Sequence, residues 1–144
     1  MKLFLLRHGQ AEPYQTDDFS RQLTEKGRQQ VAQVLEHIEQ PDLMVISPLV
    51  RAQQSAEIVA AAFEPCSRTT SDTLIPDYNP SDVLSWLEGC DANVVILVGH
   101  NPLLSRLVNW LSDKEQFINL DTGGLACLEG DIVAPDCMTL TWVR

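Results

Sequence analysis

Arg7, His8 and Gly9 stand side by side near the start of the chain. A cation, an imidazole and a glycine in that order suit phosphoryl chemistry. Arginine supplies charge, histidine a nucleophilic nitrogen, and glycine room for close backbone approach. Three residues alone are weak evidence, since each also has an ordinary structural use. Two later segments carry the same residue types: Arg51 after Ser47-Pro48, and His100 between Gly99 and Asn101-Pro102. Alone, Arg51 reads as a solvated side chain. What matters is whether the fold gathers these residues at one point.

The elements that would gather them are legible. Leu3 to Leu6, Leu43 to Ile46 and Val94 to Val98 are short apolar runs with the length and makeup of buried parallel strands. Each runs into one of the three segments. A polar loop, Gln10 to Gln22, precedes a helix over Glu25 to Ile38 capped by Thr24, with Val31, Val34, Leu35 and Ile38 on one face. His37, on its polar side, reads as a surface histidine. Ser47 as N-cap and Pro48 as first residue predict a second helix to about Phe63. Arg51 then lies in its first turn, where a positive charge opposes the macrodipole unless an anion is held there. Pro80 to Gly89 and Leu103 to Leu111 read as further helices, the last capped by Asn101 with Pro102 first. An edge strand near Arg68 to Thr70 and a hairpin, Leu125 to Leu128 with Met138 to Val143, complete the reading.

Strands alternating with helices predict an α/β fold, three layers α/β/α around a mostly parallel, mixed central sheet. The 144 residues suit a single domain over 1–144. Right-handed crossovers place the three strand ends on one sheet edge, where ligands bind in such folds. Helix starts at Ser47 and Asn101 add free N–H groups that favour anions. Two arginines, two histidines and two helix starts make a site for a tetrahedral oxyanion.

The bulk properties narrow the partners. A net charge of −10 argues against nucleic acid and anionic membranes. Bound phosphate then needs a local basic pocket. Cys66, Cys90, Cys127 and Cys137 form no metal-ligand pattern and read as reduced, mostly packing thiols. The apolar run after Met1-Lys2 is too short for a signal peptide, and no run is long enough to span a membrane. A cytoplasmic protein is expected.

Arg7-His8-Gly9, Ser47-Pro48-x-x-Arg51-Ala52-x-x-Ser55-Ala56 and Gly99-His100-Asn101-Pro102 resemble the signature segments of the histidine phosphatase superfamily, with its phosphoglycerate-mutase-like fold. Leu23-Thr24-x-x-Gly27 resembles a recurrent segment of the same family. The matches are collinear and spread over most of the chain. The short length is similar to the SixA-like branch of protein phosphohistidine phosphatases, where a segment like Leu74-Ile75-Pro76-Asp77 and a Thr-Gly-Gly-like turn also recur. The resemblance implies that His8 is the nucleophile, forming a covalent phosphohistidine enzyme. Its other ring nitrogen is then held as N–H by a backbone carbonyl near Gly9. Arg7, Arg51 and His100 would bind the phosphoryl oxygens, with His100 open to protonation when phosphate is bound. No metal or cofactor is needed. Water releases inorganic phosphate.

A general acid is harder to place. Asp77 is the positional candidate and Glu12 a second, while a turn-forming role suits Asp77 equally. This bears on the substrate. An alkoxide needs a proton to leave, whereas imidazole, with a conjugate-acid pKa of about 6.5, departs with less help. A chain without a capping insertion predicts a shallow, open pocket that a protein side chain can enter. Both points favour a histidine-phosphorylated partner, such as a phosphotransfer domain, acted on by a monomer. The alternatives are a small-molecule phosphomonoesterase of the same superfamily and, since His8 is present, less readily a non-catalytic phosphate-binding module. Arg21 stands between a rim residue and a surface one.

Overall fold

A computed structural model describes residues 1–14, 16–113 and 117–144. Gln15, in the expected first loop, lies outside the described residues, as do 114–116. Among the described residues the elements run β1 (Lys2–Arg7), α1 (Glu25–Val34), β2 (Leu43–Ile46), α2 (Val50–Ala62), β3 (Ser67–Thr70), α3 (Pro80–Glu88), β4 (Val94–Gly99), α4 (Leu103–Leu111), β5 (Leu125–Glu129) and β6 (Thr139–Val143). The six strands form one sheet in the order β3-β2-β4-β1-β5-β6. β1, β2, β3 and β4 run parallel, while β5 pairs antiparallel with β1 and β6 with β5. The mixed sheet is as expected, because β5 and β6 need only a loop between them whereas parallel neighbours need helical crossovers.

Alternation along the strands splits the core into two layers. Leu3, Leu5, Val45, Val95 and Leu97 face α3 and α4, meeting Val83, Leu87, Leu104 and Leu107. Phe4, Leu6, Met44, Ile46, Ile96 and Val98 face α1 and α2, meeting Val31, Val34, Ala52, Ala56 and Val59. Both faces of the central strands are thereby buried, which is why these runs lack a polar alternation. No helix among the described residues is long and apolar enough to cross a membrane.

Three helix boundaries differ from the sequence reading. Ser47-Pro48 does not open α2. The helix begins at Val50 with extended Leu49 as N-cap, and the Ser47 hydroxyl turns to His100 instead. α4 begins at Leu103 with Pro102 as N-cap, one residue later than expected. Asn101 still serves this end, its Oδ1 accepting from the Ser105 N–H at 3.2 Å and hydroxyl at 2.7 Å. α1 ends at Val34, and Leu35–His37 tightens into a 3-10 turn that brings Ile38 down onto the core. The cap at Thr24 is as expected, its hydroxyl accepting from the Gly27 N–H at 3.0 Å.

Candidate functional site

The C-terminal ends of β1, β2 and β4 lie side by side, so Arg7-His8, Ser47 and Gly99-His100 emerge at one edge. Backbone bonds lock them together: the His8 N–H donates to Gly99 O at 3.0 Å, and the Ser47 N–H to Val98 O at 2.9 Å. Antiparallel β5 starts at this same edge and brings the Thr122-Gly123-Gly124 turn. The Gly123 N–H donates to His8 O at 2.8 Å, and the Arg7 N–H to Gly124 O at 3.0 Å. Gly123 has φ 70°, and a Cβ there would meet the Gln30 side chain at 2.5 Å. Only glycine satisfies both conditions.

Gly9 has a different use from the one its chemistry suggested. A Cβ on Gly9 would sit 2.2 Å from Gly27 O, and one on Gly27 would sit 2.1 Å from Gln10 O. The two glycines let the chain after β1 pass directly against the first turn of α1. Room is made for a helix, not a ligand. This is the physical content of Leu23-Thr24-x-x-Gly27.

The structure brings together four of the five predicted site residues. The His8 and His100 rings lie 5.0 Å apart, centre to centre. His8 Nδ1 is 2.6 Å from Gly9 O. A carbonyl only accepts, so Nδ1 carries the proton and Nε2 the lone pair. That lone pair receives the Arg51 Nε–H at 3.3 Å. Burial pushes the His8 pKa down to about 4, with Arg51 and Arg7 adding to the shift and the Gly9 carbonyl opposing it. His100 is lowered further, first by burial, then by His8 and Arg51. Both imidazoles are neutral at pH 7. Neutral His8 keeps an unprotonated Nε2 in a field of two guanidiniums, its lone pair facing the Arg51 Nε–H until an anion draws that donor away.

Arg7 Nη1 donates to Leu120 O at 2.9 Å. Its Nε and His100 Nδ1 are the two buried side-chain polar atoms without a hydrogen-bond partner among the described residues. Such an orphan costs about 1–3 kcal/mol, so two in one place call for a purpose. Both belong to residues singled out for their chemistry. With Arg51, they form a set that can hold the oxygens of one tetrahedral anion against His8 Nε2.

Asp77 is not brought into this set. It is exposed in the turn after Asp72–Leu74, a segment whose Leu74 O lies against Gly99. Among the described residues its carboxylate bonds to none of the four, and neither does that of exposed Glu12.

Sequence reasoning missed Asp18. Its Oδ2 is 3.3 Å from Arg51 Nη2, and its backbone O accepts from Arg51 Nη1 at 2.8 Å. Phe19 O accepts the Val50 N–H at 3.1 Å, so the loop also occupies the start of α2. Arg21 ties the loop down, donating to Glu12 O at 2.7 Å and Asp18 Oδ1 at 3.1 Å. Burial opposes the Asp18 charge, but Arg21 and Arg51 outweigh it and hold its pKa below the usual carboxylate range. Nothing local marks Asp18 in a polar loop; its role follows from where the loop docks. His8, Arg51 and His100 are buried, at 7%, 4% and 1% exposure.

The architecture and this cluster fit one group of proteins. The chain belongs to the histidine phosphatase superfamily (branch 1), whose family model matches residues 3–75. A curated relative, the phosphohistidine phosphatase SixA homolog of Haemophilus influenzae, is 30% identical over 146 residues, covering 91% of this chain and 89% of that protein. The solved structure of the protein histidine phosphatase SixA complexed with tungstate superposes with a TM-score of 0.88 at 25% identity, covering 100% of this chain and 96% of that one. The alpha-ribazole phosphatase from Shigella flexneri shares the fold, with a TM-score of 0.78 at 17% identity over 99% of this chain and 96% of that one. The chain thus sits in the SixA-like part of the superfamily.

Proposed function

We propose that this protein is a phosphohistidine phosphatase acting through a covalent phosphohistidine on His8. The observation that carries the reading is the pair of buried, unpartnered atoms, Arg7 Nε and His100 Nδ1, beside a neutral His8 whose Nε2 bears the lone pair. The likeness to a SixA bound to tungstate, itself a tetrahedral oxyanion, supports it. His8 Nε2 attacks phosphorus while the substrate P–N bond breaks and its electron pair returns to the leaving imidazole. Gly9 O holds Nδ1–H and stabilises the positive charge on the ring as the new P–N bond forms. Arg7, Arg51 and His100 bind the three equatorial oxygens as charge develops on them. Water then attacks phosphorus, the His8–P bond breaks, and phosphate leaves. The guanidiniums supply the charge a metal ion would otherwise provide. The substrate is a histidine-phosphorylated protein, a phosphotransfer domain among them, and the enzyme acts as a monomeric single domain.

Among the described residues, the carboxylates of exposed Asp77 and Glu12 bond to none of the four, which favours a leaving group that departs with little help from an acid. The test uses the full chain with a phosphohistidine protein and with alkyl phosphates. Turnover and acid-labile phosphate trapped on the enzyme are both expected to vanish in His8→Ala. Hydrolysis of phosphohistidine at the parent rate by that variant refutes the assignment. Faster turnover of alkyl phosphates than of phosphohistidine moves the reading to a small-molecule phosphomonoesterase.

A further inference from the structure

Ser47 follows directly on β2 and is completely buried, yet it carries a hydroxyl that the reaction does not use directly. Its Oγ accepts from the Leu49 N–H at 3.3 Å and lies 2.6 Å from His100 Nε2. A hydroxyl has one proton to give and two lone pairs. Among the described residues, His100 Nε2 is the acceptor within reach of that proton. Were Nε2 itself protonated, the Ser47 proton would be buried with nothing to receive it, which is costly. Hydrogen-bond accounting therefore settles which nitrogen of His100 carries hydrogen.

We propose that Ser47 is a positioning residue. It donates to His100 Nε2, fixes His100 as the neutral Nδ1–H tautomer, and so aims an N–H donor at the oxyanion held beside His8. A second observation agrees: His100 Nδ1 is the buried ring atom without a partner. As a lone pair it would repel an incoming anion; as N–H it binds one. The anion half of this inference rests on the proposed function, whereas the tautomer half does not.

The test is a two-bond 1H–15N correlation spectrum of the histidine rings at pH 7, recorded without ligand and with orthovanadate. His100 is expected to show a protonated Nδ1 and an unprotonated Nε2 in both. Ser47→Ala is expected to release the tautomer toward Nε2–H, leave the His8 tautomer unchanged, and weaken vanadate binding about tenfold. An Nε2–H or doubly protonated His100 in the parent protein overturns the proposal, and so does a Ser47→Ala protein with unchanged tautomer and vanadate affinity. The parent spectrum decides the tautomer even if that variant does not fold. It also decides it if phosphohistidine is not the substrate, so the two failures are distinguishable.

Discussion

Gly27→Ala sets two known effects against each other. Gly27 lies in the first turn of α1, where alanine is normally the better helix former by about 1 kcal/mol. Here the added methyl would lie 2.1 Å from Gln10 O, 2.8 Å from Gln10 N and 2.9 Å from Gln10 C. These are backbone atoms, so no side chain can swing away. Gln10 O also accepts the Thr24 N–H at 2.9 Å, and retreat would lengthen that bond. Overpacking costs about 1–3 kcal/mol, and the strained hydrogen bond about 1 kcal/mol more. Against the propensity gain, a net loss of about 1–3 kcal/mol follows. For a chain of this size that lowers Tm by roughly 3–10 °C. Gln10 is two residues from His8, so the shift also disturbs the Gly9 carbonyl that holds Nδ1. A loss in kcat of about tenfold is expected beyond the stability loss. Urea unfolding and initial rates at a temperature where both proteins are folded would measure the two effects, with exposed Lys26→Ala as control. A Gly27→Ala protein as stable as the parent, or more so, refutes the close-approach argument.

Three further outcomes follow from the site. The His8 pKa is about 4 when folded, against an ordinary value near 6.5, so the unfolded chain binds more protons between those values. Stability is then full above about pH 6.5 and falls as pH drops through 4, with His100 acting in the same direction further down; urea midpoints that stay level from pH 7.5 to 4 contradict this. Asp18→Asn frees Arg51 of a competing carboxylate. Because Asp18 is half exposed, stability should change by less than about 1 kcal/mol, while calorimetry should show inorganic phosphate bound several-fold more tightly; weaker binding would mean that Asp18 holds Arg51 in place instead. Asp77→Asn should leave phosphohistidine hydrolysis within about twofold of the parent, and a loss approaching that of His8→Ala would make Asp77 the missing acid.

Much of this protein is written locally. Doubly buried strands must be apolar throughout, so Leu3–Leu6, Leu43–Ile46 and Val94–Val98 were legible as strands, and chirality alone put Arg7-His8, Arg51 and His100 at one edge. That four of the five candidate residues would lie together followed from type and position. What the chain could not show by itself depends on partners distant in sequence. Ser47 looked like a helix cap, and only the proximity of His100, 53 residues away, turned its hydroxyl into a ring partner. Gly9 looked like space for a ligand until Gly27 came against it. Asp18 carried no local signal, because an exposed loop carboxylate acquires meaning only when the loop docks on Arg51. Backbone patterning is a property of each segment and survives in the sequence. The direction of a hydroxyl, the tautomer of an imidazole and the pairing of a guanidinium are properties of contact, and the tertiary structure alone decided them.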